Sequence, residues 1–188
     1  ITDCTFSLNT SKLGGAVHCE NSTPNFTNCN FSENYATIDS FSKGGAVVLE
    51  ASDASFIYCE FVNNTSSLVE GKGGAIYNQS GSTIFDECVI SNNSSASGGG
   101  LYSKPYSVVS NSSFCDNEPN NIEGNWVDGG GNSLNETCGT DQDSDGIPDD
   151  LDNCYLYNPS QIDCDGNGIG DICDVTDGTY LDCDQNSV

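Results

Sequence analysis

The feature that most constrains this chain is a repeat built from two short motifs. A pair of glycines followed by small or aliphatic residues opens four copies, at Gly14, Gly44, Gly73 and, more loosely, Gly98. A Phe-x-x-Asn signal begins 17 residues after the first glycine in three copies, with Ile in place of Phe in one of them, and 16 residues after it in the fourth. Repeats of this length are typical of solenoids, in which each copy is one turn of a stack.

The distances between the motifs separate a constant part from a variable part. The return from the Phe or Ile to the next double glycine takes 13, 12, 8 and 15 residues, so the variable part is predicted to be an exposed loop. Short β-rich runs such as 47–49 and 56–58 are broken by Gly, Asn, Ser and Asp, and no helical periodicity persists. We therefore predict an all-β fold, a parallel β-helix of about five coils over residues 1–138, followed by a different region over residues 139–188.

Stacking predicts that like residues form ladders along the coils. Neighbouring strands lie about 4.8 Å apart, so equivalent side chains pack on one another. Cys59 and Phe61 are two residues apart and therefore share the inward face. Phe56 and Cys59 are three residues apart, so both can face inward only if the chain turns a corner between them. The double glycines permit positive φ at another corner and close packing of the backbone. The expected ladders are Phe26/Phe56/Phe85, Phe31/Phe61/Ile90/Phe114, Asn9/Asn34/Asn64/Asn93/Asn117 and Cys4/Cys29/Cys59/Cys88.

The cysteines indicate the compartment and leave their own pairing open. Eleven cysteines favour an oxidising, extracytoplasmic setting, and the odd count leaves one thiol for an intermolecular bond. The strand spacing lies within the Cα window of about 4.4–6.8 Å for disulfides, so adjacent ladder cysteines are expected to bond, without a preference for one pair. The alternative is a buried column of free thiols.

Composition excludes several functional classes. The chain has 28 acidic residues, four lysines, no arginine and a net charge of −24, which argues against nucleic acid and anionic membranes and favours cations as partners. The low hydrophobic content of 35% argues against a large globular core. Because the chain begins at Ile1 and shows neither a signal peptide nor an apolar run that could cross a bilayer, we expect a processed secreted product or a fragment of one.

The pairing of Gly-Gly-Ala-Val/Ile with Phe-x-x-Asn resembles the repeats of the polymorphic outer-membrane proteins, over residues 1–137. The resemblance implies a right-handed parallel β-helix on a cell surface, often with a role in adhesion. Two later copies depart from the pattern, and we interpret the glycine runs 98–100 and 129–131 as the degraded fourth and fifth copies.

Asparagines in Asn-x-Ser/Thr sequons are unusually frequent before residue 138. Eleven occur where roughly four are expected by chance, which favours a glycan coat over the alternative of an unmodified Ser/Asn-rich surface. Ladder positions such as Asn64 and Asn93 are excluded, because a buried amide cannot also carry a sugar. The preferred candidates are Asn21, Asn25, Asn78 and Asn111, and the other sequons begin at Asn9, Asn30, Asn63, Asn64, Asn92, Asn93 and Asn135.

Past residue 138 the composition changes to 13 aspartates with no glutamate and no lysine. Two loops that start 22 residues apart place oxygen atoms at positions 1, 3, 5, 9 and 12, with a glycine at position 6. Hard oxygen ligands in this spacing are what Ca²⁺ requires in an EF-hand-like loop, in which a backbone carbonyl supplies position 7. The predicted ligands are Asp141, Asp143, Asp145, the Ile147 carbonyl, Asp149, Asp152, Asp163, Asp165, Asn167, the Ile169 carbonyl, Asp171 and Asp174.

Position 12 is Asp and no helical pattern flanks the loops, so a pair of EF-hands is the weaker interpretation. With the runs 152–154, 158–159 and 170–174, the segment 141–174 instead resembles thrombospondin type 3 repeats. That resemblance implies a largely irregular, calcium-wrapped segment with almost no hydrophobic core, against the alternative of a merely solvated acidic tail. For the disulfides we expect Cys154–Cys173 first and Cys164–Cys183 second, although Cys164 and Cys183 are not the usual cysteines of that family.

The sequence favours a non-catalytic protein. There is no arginine, and His18 has no carboxylate or thiol at motif spacing, so a polysaccharide lyase-like enzyme is a distant alternative. The first hypothesis is a calcium-stabilised, glycosylated subunit that assembles head to tail into an extracellular fibre through exposed strand edges. The second is an adhesin or stalk fragment whose loops 38–43 and 66–72 bind a host or matrix glycan. We expect no nucleic-acid partner and no membrane insertion.

Overall fold

The computed structural model describes residues 1–36, 41–135, 138, 153–156, 162–163 and 169–177. The chain divides into two units, Ile1–Thr137 and Cys138–Val188. The described strands of the first unit are β1 (Thr5–Ser7), β2 (Val17–Glu20), β3 (Asn25–Thr27), β4 (Asn30–Ser32), β5 (Tyr35–Ala36), β6 (Val47–Glu50), β7 (Ala54–Ile57), β8 (Glu60–Val62), β9 (Thr65–Ser66), β10 (Ile76–Asn78), β11 (Thr83–Asp86), β12 (Val89–Ser91), β13 (Leu101–Ser110), β14 (Ser113–Cys115), β15 (Ile122–Asp128) and β16 (Ser133–Leu134). The second unit contains the helix α1 (Asp171–Asp177).

The strands pair in parallel between successive coils. One sheet has the order β1-β4-β8-β12-β14-β16, a second has the order β2-β6-β10-β13-β11-β7-β3 with β15 on β13, and β5 pairs with β9. Every named pair is parallel, and equivalent strands of successive coils pair in register, with one register shift between β13 and β15. The predicted all-β, parallel β-helix-like fold is therefore confirmed for the first unit.

Two phenylalanine ladders fill the interior. Phe56 lies opposite Phe26 and Phe85, and the ring centroids are 5.0 and 5.2 Å apart in nearly parallel stacks. Phe31 stacks on Phe61 at 4.7 Å in the second ladder, which Ile90 and Phe114 extend in register. All of these side chains are buried, and burial of each stabilises the fold by about 1.5–3 kcal/mol. Both predicted ladders are confirmed.

The corners lie where the side-chain parity requires them. Tyr58, with φ 54°, turns the backbone between Phe56 and Cys59. Gly44 turns another corner with φ 57°, and a Cβ on Gly45 would lie 1.9 Å from the carbonyl oxygen of the glycine one coil further on. The first glycine of each pair therefore supplies positive φ, and the second permits close approach of neighbouring coils. The Tyr58 corner recurs at Asp3, Asn28, Glu87 and Asn111.

The fourth coil is shorter because it omits a corner. Asn78 lies opposite Ser103, and Thr83 lies opposite Ser107. The third coil therefore uses five residues to cover a stretch that the fourth coil covers with four. The third coil turns there at Gly81, with φ 105°, whereas β13 runs through the same position as one continuous strand. This explains the 16-residue spacing in the fourth copy.

The fifth coil does not begin where the sequence suggested. Its counterpart of the double glycine is Asn120–Asn121, which accepts hydrogen bonds from the backbone of Gly99 and Leu101. The glycine run 129–131 lies instead at the corner next to Asn111, whose N–H donates to the Gly130 carbonyl. The assignment of 129–131 as a fifth glycine motif was therefore wrong, because two asparagines occupy the position of the glycines in this coil.

The second unit contains a helix in a segment that was expected to be largely irregular. The helix α1 covers seven residues, and Cys173 within it forms a disulfide with Cys154, with a Cα–Cα distance of 5.5 Å. A run this short leaves no periodic signal in the sequence. The negative charge of Asp171 in the first turn favours a helix start through the helix dipole.

Candidate binding surfaces of the β-helix

The asparagine ladder forms one continuous chain of hydrogen bonds. The side-chain amide of Asn34 donates to Oδ1 of Asn64 at 2.9 Å, and that of Asn64 donates to Oδ1 of Asn93 at 3.0 Å. The backbone N–H of Asn64 reaches the same oxygen of Asn93 at 2.8 Å. Asn9 and Asn117 extend the chain in the same direction, so the predicted ladder is confirmed.

A cleft of about 1050 Å³ lies beside this ladder. Asn63 and Asn92 occupy the same corner in successive coils, and both have φ 57° and exposed side chains. Their side-chain amides make no hydrogen bond within the part of the chain that the structure describes. The other lining residues are Asn93, Ser94, Asp116, Asn117, Glu118, Pro119, Asn120 and Asn121.

The chemistry of the cleft suits binding of a hydroxylated ligand. Nine of its ten described lining residues carry an amide, hydroxyl or carboxylate side chain, and these groups donate to and accept from sugar hydroxyls. No His, Lys or Cys stands among these lining residues. The arrangement therefore offers hydrogen bonds rather than a nucleophile paired with a base.

A second surface, which we call the Lys–Tyr patch, consists of Lys43, Lys72, Tyr77, Tyr102 and Lys104. Nζ of Lys43 and Nζ of Lys104 lie 4.9 and 5.8 Å from the centroid of the Tyr77 ring, and Nζ of Lys72 lies 4.4 Å from that of Tyr102. Lys72 also donates to the Tyr102 hydroxyl at 2.9 Å, and this hydrogen bond raises the pKa of Lys72. No sequence motif marks this patch, because Lys43 and Lys72 each contact a ring of the next coil and Lys104 contacts a ring of the preceding one.

His18 has a carboxylate partner on the neighbouring coil. Its Nε2 lies 3.5 Å from Oε2 of Glu50, and the two side chains are 35% and 28% exposed. Because β2 and β6 pair in register, the contact joins residues that no local motif spacing connects. The pair is a partly exposed contact between neighbouring strands.

The ladder cysteines are free thiols, so the expected disulfides between ladder neighbours were wrong and the alternative column of thiols is present. The Sγ of Cys29, Cys59 and Cys88 each donates to the carbonyl two residues earlier, at 3.3–3.4 Å. In-register strands lie about 4.8 Å apart, beyond the Cβ–Cβ distance of about 3.5–4.5 Å that a disulfide needs. Burial raises the pKa of Cys59, and raises that of Cys88 to about 12. Disulfides are present elsewhere, since Cys115 and Cys138 are disulfide-bonded.

The preferred glycosylation candidates differ in exposure. Asn21, Asn25 and Asn111 are exposed, whereas Asn78 is fully buried. Its Nδ2 donates to Oγ1 of Thr83 at 2.9 Å, so a glycan at Asn78 is incompatible with this fold. The parity of β10 contained the signal, because Asn78 lies two residues after the inward-facing Ile76 and shares its face.

Most of the predicted calcium ligands lie outside the described residues. Asp141, Asp143, Asp145, Ile147, Asp149, Asp152, Asp165 and Asn167 do so, as do Cys164 and Cys183 of the second expected disulfide. The described members are Asp163, Ile169 and Asp171, together with the backbone of Asp174. Their carboxylates and carbonyl are hard oxygen donors of the kind that Ca²⁺ takes. Among described residues no cluster of three or more His, Cys, Asp or Glu forms a metal-binding group.

The two loops that the sequence proposed for glycan binding differ in what is described. The loop 66–72 exposes Leu68 and Val69 by 65% and 74%. In the loop 38–43, residues 38–40 lie outside the described part, while Phe41 is 61% exposed.

The fold defines the first unit as a stacked parallel-β repeat module. A model of the Chlamydia polymorphic membrane protein repeat matches residues 3–20, 58–79 and 87–104. Each matched segment contains a Phe-x-x-Asn or Ile-x-x-Asn signal followed by a double glycine, and together they cover less than half of the chain. The chain therefore carries repeats of this type. No curated protein and no solved structure matches the chain.

The repeat type and the disulfides indicate a surface or extracellular location. Within the described residues, no helix has the length and apolar character needed to cross a membrane.

Proposed function

We propose that this chain is a non-catalytic, surface-exposed adhesin module that binds host or matrix glycans through the side of its β-helix. The observation that carries the proposal is the cleft beside the asparagine ladder, in which the exposed amides of Asn63 and Asn92 have no described partner. The match to a polymorphic membrane protein repeat supports a role of this kind at a cell surface.

Stacking gives this proposal its physical basis. Because Asn63 and Asn92 occupy equivalent corners of successive coils, the backbone holds the two side chains one coil spacing apart, so that both can contact one extended ligand. Asp116 and Glu118 add acceptors at the next positions. Neutral sugars offer the matching hydroxyl donors and acceptors, whereas the two carboxylates disfavour an anionic ligand in this cleft.

A glycan array probed with the chain and with Asn63→Gly/Asn92→Gly tests the proposal. Glycine keeps the positive φ of both corners while it removes both amides. We expect the variant to lose binding to the neutral glycans that the wild-type chain retains. The matched control is Asn21→Gly/Asn111→Gly, which changes two exposed asparagines that also have positive φ at other corners. Expression without N-glycosylation keeps sequon loss out of the comparison. The proposal fails if no glycan is retained, or if both double variants lose binding equally.

End-to-end assembly into a fibre is a second candidate. Within the described strands, β1, β2 and β3 each pair on one side only, and such parallel edges template further strands. Electron microscopy with and without EDTA separates the two ideas. Regular fibres that require calcium support assembly, and dispersed monomers at every concentration count against it.

We further propose that calcium stabilises the segment 139–188 in the manner of thrombospondin type 3 repeats. The support is the spacing of the aspartates in two loops, since hard oxygens at these positions fit the coordination of Ca²⁺. A chain of mutually repelling carboxylates is expected to order only when a cation neutralises it. Glycosylation at Asn21, Asn25 and Asn111 is proposed on their exposure and sequons.

A further inference from the structure

We propose that the Lys–Tyr patch binds a polyanionic saccharide, a sugar chain that carries several sulfate or carboxylate groups. The chain has a net charge of −24 and only four lysines, yet three of those lysines meet over one pair of tyrosine rings. None of these five residues lines the cleft, so this inference is independent of the proposed function.

The stacking of coils builds the patch. The backbones of Lys43 and Lys72 form a parallel β-bridge, and each lysine directly precedes a double glycine. Each reaches forward onto a ring of the next coil, Tyr77 for Lys43 and Tyr102 for Lys72. Lys104 follows Tyr102 on β13 and reaches back to Tyr77. Two ammonium groups therefore lie over Tyr77, and the third lies over Tyr102 in the next coil.

The positive charges of the patch are not neutralised by the protein around them. Within the described residues, no carboxylate oxygen lies within 4.0 Å of Nζ of Lys43, Lys72 or Lys104. A tyrosine ring attracts an ammonium group through its quadrupole and holds it in place without cancelling its charge. Glu123, which lies opposite Tyr102 in the sheet, accepts a hydrogen bond from Asn120 at 2.8 Å, and its negative charge adds to the raised pKa of Lys72. The patch therefore combines three ammonium groups with one nearby carboxylate and keeps a net positive charge for an external anion.

The geometry favours a chain with several anionic groups over a single oxyanion. The ring centroids of Tyr77 and Tyr102 are 5.6 Å apart, and the ammonium groups are distributed over both rings. Three ammonium groups carry more positive charge than one sulfate or phosphate neutralises. Anionic groups on successive sugar residues supply the further negative charge.

The sheet also argues for a saccharide over an acidic peptide. β10 pairs with β6 and β13, and β13 pairs with β10, β11 and β15, so no backbone edge is open there for an extended peptide to join. A saccharide needs only the side chains. The distant acidic residues oppose a polyanion weakly, since the screening length at physiological ionic strength is about 8 Å.

The test is a calorimetric titration of the full chain with a short sulfated oligosaccharide at physiological salt. Lys43→Gln, Lys72→Gln and Lys104→Gln are each expected to weaken binding about two- to fivefold, and the triple variant to abolish it. The matched control is Lys12→Gln, which removes the same charge outside the patch. In the coil that follows Lys12, Val48 occupies the position that Tyr77 and Tyr102 occupy in the later coils. The control variant is expected to bind as the wild-type chain does.

Further measurements separate charge from structure and one ligand source from another. Replacing the three lysines by arginine is expected to restore binding, and unfolding midpoints report whether the glutamine variants are folded. The desulfated oligosaccharide is expected not to bind, and inorganic sulfate is expected to compete only at far higher concentration. The proposal is overturned if the folded triple variant binds as well as wild type, or if Lys12→Gln weakens binding equally. Stoichiometric competition by inorganic sulfate, or binding of an acidic peptide in place of the saccharide, overturns it too.

Discussion

At the scale of single residues, the ladder asparagines are the side chains that the fold can least replace. Asn64 is fully buried, accepts hydrogen bonds from the N–H and the amide of Asn34, and donates to Phe31 and Asn93. A buried polar group that loses its partner costs about 1–3 kcal/mol. Removing the Asn64 amide takes an acceptor from the N–H and the side-chain amide of Asn34 and a donor from the Phe31 carbonyl, while Oδ1 of Asn93 keeps the backbone N–H of Asn64.

We therefore expect Asn64→Ala to lower the free energy of unfolding by about 2–4 kcal/mol. Asn9→Ala is the control, because Asn9 is exposed and its amide only donates, to Asn34. It is expected to cost less than about 1 kcal/mol. Guanidinium unfolding midpoints compare the two variants, and equal losses would show that the ladder is not a cooperative unit.

The thiol column predicts slow chemistry at the buried end and fast chemistry at the exposed end. Cys4 is exposed and Cys88 is buried, and a thiol with a raised pKa forms little of the reactive thiolate. At pH 8 we expect iodoacetamide to label Cys4 at least tenfold faster than Cys88. Peptide mass spectrometry over time measures both rates. Similar rates would mean that the corner opens readily.

The same thiol predicts an alkaline loss of stability. Burial raises the pKa of Cys88 from 9.0 in the unfolded chain to about 12 in the fold. Its contribution is complete below pH 9 and is lost as the pH rises towards 12, because the unfolded chain ionises first. The difference in unfolding free energy between pH 8 and pH 11 should shrink in Cys88→Ala and stay unchanged in Cys4→Ala.

At the scale of the elements, close approach at the second glycine of each motif holds neighbouring coils in register. A Cβ on Gly45 would meet two backbone groups, the carbonyl oxygen of Gly74 at 1.9 Å and the amide nitrogen of Thr65 at 2.6 Å. We expect Gly45→Ala to destabilise the chain by at least about 3 kcal/mol, because backbone atoms of two coils must separate. Thermal unfolding followed by circular dichroism measures this loss.

Gly130 provides the control for this prediction. It has φ +94°, but a Cβ there meets nothing within 4 Å. Gly130→Ala should therefore cost only the backbone strain, about 1–2 kcal/mol. If Gly130→Ala destabilises as much as Gly45→Ala, backbone conformation rather than coil packing determines the effect.

The elements also show what the sequence could predict and why the rest stayed hidden. The spacing of Phe56, Phe61 and Asn64 predicted the strands, the corner and the ladders, because each coil repeats the same inward positions. Coil-to-coil contacts such as Lys43 over Tyr77 stayed hidden, since they join outward-facing residues whose positions no motif marks. Whether Cys59 is a free thiol or forms a disulfide depends on the Cβ–Cβ distance between in-register strands. The Cα–Cα distance alone does not decide it.

The candidate cleft was predictable only in part. The asparagine ladder was expected from Phe-x-x-Asn, but the cleft depends on Asn63 and Asn92, which precede the ladder residues. Their exposure follows from the positive-φ corner, and alternation along a strand does not apply at such a corner. For the predicted calcium ligands in the segment 139–188, the sequence remains the main basis.

At the scale of the whole molecule, we expect Ca²⁺ to be required for the stability of the acidic segment. Differential scanning calorimetry should show a transition that moves to higher temperature with Ca²⁺ and is lost with EDTA, because a ligand that binds only the folded state stabilises it. Asp143→Asn/Asp145→Asn should weaken calcium binding by at least tenfold.

The control for this prediction is Glu33→Gln/Glu70→Gln, which removes the same charge from two exposed residues of the first unit. It should leave calcium affinity unchanged within about twofold, since neither residue belongs to the predicted calcium loops. An EDTA-insensitive transition, or equal weakening in both double variants, would reject calcium coordination by these aspartates.

The exclusive pairing of each coil with its neighbours has a mechanical consequence. The hydrogen bonds between coils run along the stack, so tension applied to the two ends of the first unit loads the bonds of one coil at a time. A coil at the end would peel away while those behind it stay closed. A surface protein built in this way unfolds under force in small successive steps, while the coils that have not yet detached keep their structure.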